Sequence, residues 1–188
     1  MEVERLQREY PVEVRWAPYL LDPTIPPEGK QRKPHTTADT PKSHLEQRAE
    51  AGGLTLRRGR GFTPSTRLAL EAAEFAYEHG QHADRFHRAL FKANFEDFDD
   101  IGDADVLVRI ATEHDLDGAA LREALLSRRY RERVDEQIEW ARSQGIGGIP
   151  TFIFDDRFQM VGAQDYTVFQ RVMERLGYPA RNGEDSTG

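Results

Sequence analysis

Two stretches with a two-residue period stand at opposite ends of this chain, and most of what lies between them has the period of helices. In residues 11–16 (PVEVRW), Val12, Val14 and Trp16 alternate with Glu13 and Arg15, the pattern of a strand with one buried face. Near the other end, residues 151–154 and 158–161 are short apolar runs separated by Asp155-Asp156-Arg157, which reads as a hairpin with an Asp-rich turn. A strand alone leaves its backbone N–H and C=O groups unpaired. The early strand is therefore expected to join the late hairpin in one sheet, with the helices inserted between them as a module of an α/β fold.

Helical spacing fills the remainder. Val3, Leu6 and Tyr10 mark a first helix, ended by Pro11. Six prolines between Pro18 and Pro41 make residues 18–61 a long irregular connection, relieved by two helical turns in PKSHLEQRAEAGG that end at Gly52-Gly53. RRGRG, residues 57–61, reads as a basic, mobile, solvated loop. Thr63-Pro64 then opens a helix with the stripe Leu68, Ala72, Phe75, Ala76, closed by Gly80. A second helix carries Phe86, Leu90 and Phe91. Asp103 caps a third with Val106, Leu107, Ile110 and Ala111 inward; Asp117 caps a fourth through Leu121 and Leu125; a fifth spans residues 130–144 with Val134, Ile138 and Ala141 inward. Short joints predict antiparallel packing. A last helix, residues 165–176, buries Phe169, Val172, Met173 and Leu176, and the polar end RNGEDSTG is expected to be disordered.

Charge and composition exclude several functions. With 26 Lys+Arg against 33 Asp+Glu the net charge is −7, which argues against a nucleic-acid duplex as partner. No apolar run approaches the roughly 20 residues of a bilayer span, and the charged N-terminus lacks a signal sequence, so no membrane partner and a cytoplasmic location are expected. The chain has no cysteine, which removes disulfides, thiolate metal sites and a cysteine nucleophile. Of the six histidines (His35, His44, His79, His82, His87, His114), His79 and His82 straddle the helix-ending Gly80 without a carboxylate on the same face. No metal site and no cofactor are expected. RRGRG lacks the strand, Lys and Ser/Thr of a phosphate loop, and no nucleophile elbow is present. Residues 96–100 (EDFDD) read as a solvated turn rather than a calcium loop, and Phe86, Phe91, Phe95 and Phe98 as bundle core. No side chain is assigned a catalytic role. The most informative peptide is Gly148-Ile149-Pro150-Thr151, a proline opening a strand after glycines. A cis bond there leaves flanking backbone groups free for an extended peptide, and an ordinary loop-to-strand proline is the alternative reading.

Four segments in order, VEVRWAPYLLDPTIPPEG, FTPSTRLALEAAEFA, LFKANFEDFDDIGDADVL and GIGGIPTFIFDDRFQMVGAQ, resemble the DsbA family and specifically its FrnE-like branch, over residues 3–176. The resemblance implies a thioredoxin-like fold with an inserted all-helical domain. It implies thiol–disulfide oxidoreductase or isomerase activity on protein or peptide thiols and disulfides, with Gly148, Ile149, Pro150 and Thr151 as the substrate-binding cis-proline loop. It divides the chain into an incomplete, discontinuous thioredoxin-like core (1–62 with 145–178), a helical insertion (63–144) and a tail (179–188). The family also places a strand and a Cys-x-x-Cys ahead of the strand at residues 12–16, and MEVERLQREY matches only the last turns of the helix that carries that motif. The expectation is a chain without its first strand and the start of its first helix, truncated or degenerate, redox-inactive as written, and left with exposed edges where that strand would lie beside residues 151–154. Two other functions fit the same fold. One is a glutathione-dependent isomerase or transferase, whose anionic tripeptide would meet RRGRG; the other is a non-catalytic peptide-binding module.

Overall fold

The computed structural model describes residues 2–34, 36–37, 39–80 and 83–181. Two compact units form: one from the chain ends, Met1–Leu21 and Ala141–Gly188, the other from Asp22–Trp140. Residues 22–62 thus fall with the helices and not, as the sequence suggests, with the sheet. Their own bonds explain it, since Thr55 and Arg57 donate from the backbone to Glu96 and to Phe95 C=O.

In the unit of the chain ends, α1 (Glu2–Glu9), the hairpin β3 (Thr151–Phe154) and β4 (Phe158–Val161), and α8 (Tyr166–Leu176) surround one small core. Leu6, Tyr10, Met160, Tyr166, Phe169 and Met173 fill it, with Val12, Phe152, Phe154 and Phe158 packed around them. Phe152 meets Phe169 edge-on at 4.9 Å. Helix α1 is tied to α8 by polar groups: Tyr166 Oη–H and Arg5 Nε–H both donate to the Glu9 carboxylate at 2.7 Å, and the Arg5 guanidinium lies 3.9 Å over the Tyr166 ring. Asp155 and Asp156 turn the hairpin at φ of 51° and 53°, the pair of left-handed residues such a turn needs, and Arg157 N–H closes it on Phe154 C=O at 2.9 Å.

The early strand does not form. Residues 11–20 belong to no ladder, although Val12 and Val14 are half-buried between exposed Pro11, Glu13 and Arg15, as a one-faced strand requires. Among the described residues the hairpin pairs only with itself, so this segment has the side-chain pattern of a strand and no partner strand.

In the second unit, α3 (Arg67–Glu78), α4 (Ala83–Lys92), α5 (Ala104–Glu113) and α6 (Gly118–Leu126) pack around Ala72, Phe75, Phe86, Leu107 and Leu121. Helix α7 spans Arg131–Ser143. Asp103 and Asp117 accept the helix-opening N–H groups of Asp105 and Ala120, as their sequence positions predict. Helix α2 (His44–Ala51) is opened by a reciprocal capping box between Ser43 and Glu46. Two readings are corrected. Phe62–Thr63 is strand β2, antiparallel to β1 (Lys30–Gln31), so Thr63 does not cap a helix; α3 starts after Thr66. Phe91 and Phe95 are not core: they are 44 % and 37 % exposed and stack on each other at 5.9 Å. A π-helical turn at Ala93–Asp97 follows α4, and the inward stripe is Phe86, Leu90 and Ala93.

Candidate functional site: the Pro150 loop and the edge of β3

Helix α7 ends in a turn that aims the chain at β3. Gly145 takes φ +69°, and Ile146 N–H bonds back to Ala141 C=O at 3.1 Å. Ile146 is buried, and its C=O accepts from the Tyr19 hydroxyl at 3.2 Å. The next residues come out to solvent: Gly147, Ile149 and Pro150 are exposed, Ile149 by 52 %. The Ile149–Pro150 bond is cis. Thr151 Oγ1–H donates to Gly148 C=O at 2.7 Å, which closes the loop on itself, and Pro150 C=O accepts from Gly162 N–H at 2.7 Å, which anchors it to the end of β4.

That last bond sets the parity of the ladder. Pro150 and Gly162 face each other as a hydrogen-bonded position, so Phe152 with Met160 and Phe154 with Phe158 are hydrogen-bonded pairs. Thr151 with Val161 and Ile153 with Gln159 are the non-bonded ones. The N–H and C=O groups of Thr151 and Ile153 therefore point away from β4, to the outer edge of β3, which pairs with nothing among the described residues. Phe152 and Phe154 turn to the core, and Thr151 and Ile153 take the opposite face. Exposed Ile149 and Pro150 lead directly into this edge. Its only reactive side-chain group is the Thr151 hydroxyl, already used on Gly148, so the arrangement offers backbone pairing and apolar contact rather than acid–base or nucleophilic chemistry.

The other sequence candidates resolve differently. His79 stacks on Phe75 at 4.1 Å with its Nδ1 2.8 Å from Phe75 C=O, while His35 and His82 lie outside the described residues. Among the described residues no group of three His, Asp or Glu side chains is placed to hold a metal. No described helix is long and apolar enough to cross a membrane. The acidic run lies at the surface between α4 and α5 with its charges partnered: Glu96 accepts Thr55 N–H, Asp97 pairs with Lys92, Asp99 with Arg109, and Asp100 accepts Gly102 N–H. RRGRG is likewise tied down. Arg58 donates to Glu46 and to the C=O groups of Thr37 and Thr40; Arg60 donates to Asn94 and to Asp99 C=O. Sequence reasoning missed these anchors because every acceptor lies well away along the chain.

Comparison with known proteins follows the same lines. A model of the family described as DSBA-like thioredoxin domain matches residues 1–174. The chain is 29 % identical over 164 residues to the uncharacterized protein YwbO of Bacillus subtilis (strain 168), covering 86 % of this chain and 81 % of that one. Among solved structures it is similar to the probable DsbA oxidoreductase SCO1869 from Streptomyces coelicolor, with a TM-score of 0.62 and 29 % identity, over 71 % of this chain and 58 % of the other. The chain thus spans a little over half the length of that structure.

Proposed function

Because the chain belongs to the family of DsbA-like thioredoxin domains, we propose that its Pro150 loop and the outer edge of β3 hold an extended peptide or protein segment for thiol–disulfide exchange. Thiol–disulfide oxidoreductase-type function is the general property of that family. The finer reading is that Gly148, Ile149, Pro150 and Thr151 bind the substrate segment in a FrnE-like, cytoplasmic enzyme. The observation that carries it is the outward set of N–H and C=O groups on Thr151 and Ile153, beside exposed Ile149. An unpaired edge of this kind adds an extended segment by main-chain hydrogen bonds.

Exchange needs a thiolate to attack a disulfide sulfur. These 188 residues contain no cysteine, so in this reading they supply the docking part and the attacking thiolate comes from a separate thiol partner. The test has two arms. Carboxamidomethylated insulin B chain, titrated into the chain, is expected to shift the Thr151 and Ile153 backbone amide resonances first. Ile153→Pro, which removes one outward N–H without touching a β3–β4 bond, is expected to weaken that binding with the circular dichroism unchanged. In glutathione-driven insulin reduction the chain alone, having no thiol, is expected to stay at the buffer rate. Unmoved amides at Thr151 and Ile153 in the first arm, or reduction above the buffer rate by the chain alone in the second, would reject the proposal.

A further inference from the structure

Two basic tetrapeptides, Lys30-Gln31-Arg32-Lys33 and Arg57-Arg58-Gly59-Arg60, are well separated in the sequence of a chain whose net charge is −7. The short β1–β2 ladder brings them together. Lys30 pairs with Thr63 and Gln31 with Phe62, and Arg32 N–H continues the ladder to Gly61 C=O at 2.9 Å. Gly29 opens it at φ +75°, where a Cβ would meet the Phe62 ring and lie 2.9 Å from Thr63 C=O, so the position is kept for glycine. Of the six cations gathered there, only Arg58 has a carboxylate partner among the described residues, Glu46.

Arg60 is the least compensated. Its guanidinium reaches only neutral acceptors: Asn94 C=O, Asn94 Oδ1 at 2.7 Å and Asp99 C=O at 3.2 Å, while its Nε is buried with no acceptor. Burial, and after it the neighbouring charge of Arg32, pull its pKa down against a smaller opposing attraction from Asp100. Phe98, held at φ 63°, carries the Arg57 guanidinium 4.9 Å and the Arg60 guanidinium 5.3 Å from its ring centre. Two guanidiniums thus share one ring, and a third acts on Arg60 from across the ladder. A cation partly withdrawn from water, with neutral partners and a like charge beside it, sits at a potential that an anion lowers.

We propose that Arg32, Arg57 and Arg60 form a binding site for a phosphate-type oxyanion. Guanidinium groups match such oxygens with paired N–H donors. Arg60 is the fixed floor of the site, oriented by Asn94 and Asp99. Arg57 is exposed, has no side-chain hydrogen bond among the described residues, and is the arm that turns onto the ligand. Lys30 and Lys33 add attraction at longer range. The site draws on no residue of the Pro150 loop and stands or falls independently of peptide binding there.

The test is calorimetric titration of the whole chain with inorganic phosphate, with sodium chloride holding the ionic strength constant. A second arm measures sedimentation with phosphatidylglycerol vesicles against phosphatidylcholine vesicles. Saturable phosphate binding is expected, weakened about tenfold or more by Arg57→Ala, one charge-assisted contact, and unchanged by the exposed control Arg171→Ala on α8. Binding to phosphatidylglycerol vesicles without binding of free phosphate, lost in the same variant, would assign the site to a lipid headgroup. Neither phosphate saturation nor vesicle binding, or binding retained in Arg32→Ala/Arg57→Ala, would overturn the proposal.

Discussion

Glu71 is fully buried on α3, and among the described residues the positive charge that meets it comes from Arg128. Arg128 donates from Nε to both carboxylate oxygens at 3.2 and 3.1 Å and from Nη2 to Oε1 at 2.6 Å. It does so from a left-handed φ of 54° in the corner between α6 and α7. Taking away only the arginine leaves a carboxylate in the core with no counter-charge, whereas Arg128 itself is 38 % exposed and easily rehydrated. Arg128→Ala is expected to lower stability by about 3 kcal/mol, the low end for one-sided removal from a buried pair. Arg128→Gly should lose less, because glycine accepts the left-handed φ without the penalty of about 1 kcal/mol that a side chain carries there. Urea unfolding at unchanged m-value reads both; wild-type stability in Arg128→Ala would show that the pair is not what keeps Glu71 inside. Nothing local in the sequence announces this contact. Glu71 looks like the polar face of a helix whose apolar stripe was legible, and its partner is 57 residues away.

Elements with local signals were legible, and those made by distant partners were not. The hairpin reads directly from two apolar runs and a turn. Ladder β1–β2, with two residues a side, has no periodicity to read, and Thr63-Pro64 resembles a helix start because caps and strand ends favour the same residue types. The Pro150 loop shows in the sequence as GGIPT. Which backbone groups of β3 face outward does not, since that depends on the bond between Gly162 and Pro150. Helix α2 sits between these cases: its Ser43–Glu46 capping box is local, but the clasp that secures it comes from Arg58. The Glu46 carboxylate receives Arg58 Nε–H at 2.7 Å, Ser43 N–H at 2.7 Å and Ser43 Oγ–H at 2.8 Å, and is held down to about 2 from an ordinary 4.5, chiefly by Arg58. With the folded value below the unfolded one, the stabilisation is complete above pH 4.5 and is lost as pH falls towards 2. The thermal midpoint of the wild type is therefore expected to fall more steeply over that window than that of Glu46→Gln, the two approaching each other at the acid end. Parallel curves would mean that the clasp does not couple to folding.

At the scale of the whole chain, the two units differ in what holds them. The unit of Asp22–Trp140 has a continuous core through α3, α4, α5 and α6, reinforced by ion pairs such as Arg128–Glu71. The unit of the chain ends rests on a six-residue core, a hairpin that pairs with no other strand among the described residues, and a segment at 11–20 that has strand alternation but no ladder. Less apolar area leaves water there, and fewer backbone bonds are shielded, so its free energy of opening is the smaller of the two. The chain has two tryptophans, and they fall one to each unit: Trp16 in the first and Trp140 in the second. Trp16→Phe and Trp140→Phe each leave a single emitter, and both indoles are partly exposed, so either substitution removes little packing. Urea titration of Trp140→Phe, which reports from Trp16, is expected to show a midpoint below that of Trp16→Phe, with far-UV circular dichroism following the later transition because most helices belong to that unit. A peptide paired on the outer edge of β3 adds backbone bonds to the weaker unit alone, so saturating insulin B chain should move the Trp16 transition upwards and leave the Trp140 transition in place. One shared transition for both tryptophans, moved as a whole by the peptide, would instead mean that the chain unfolds as a single cooperative body.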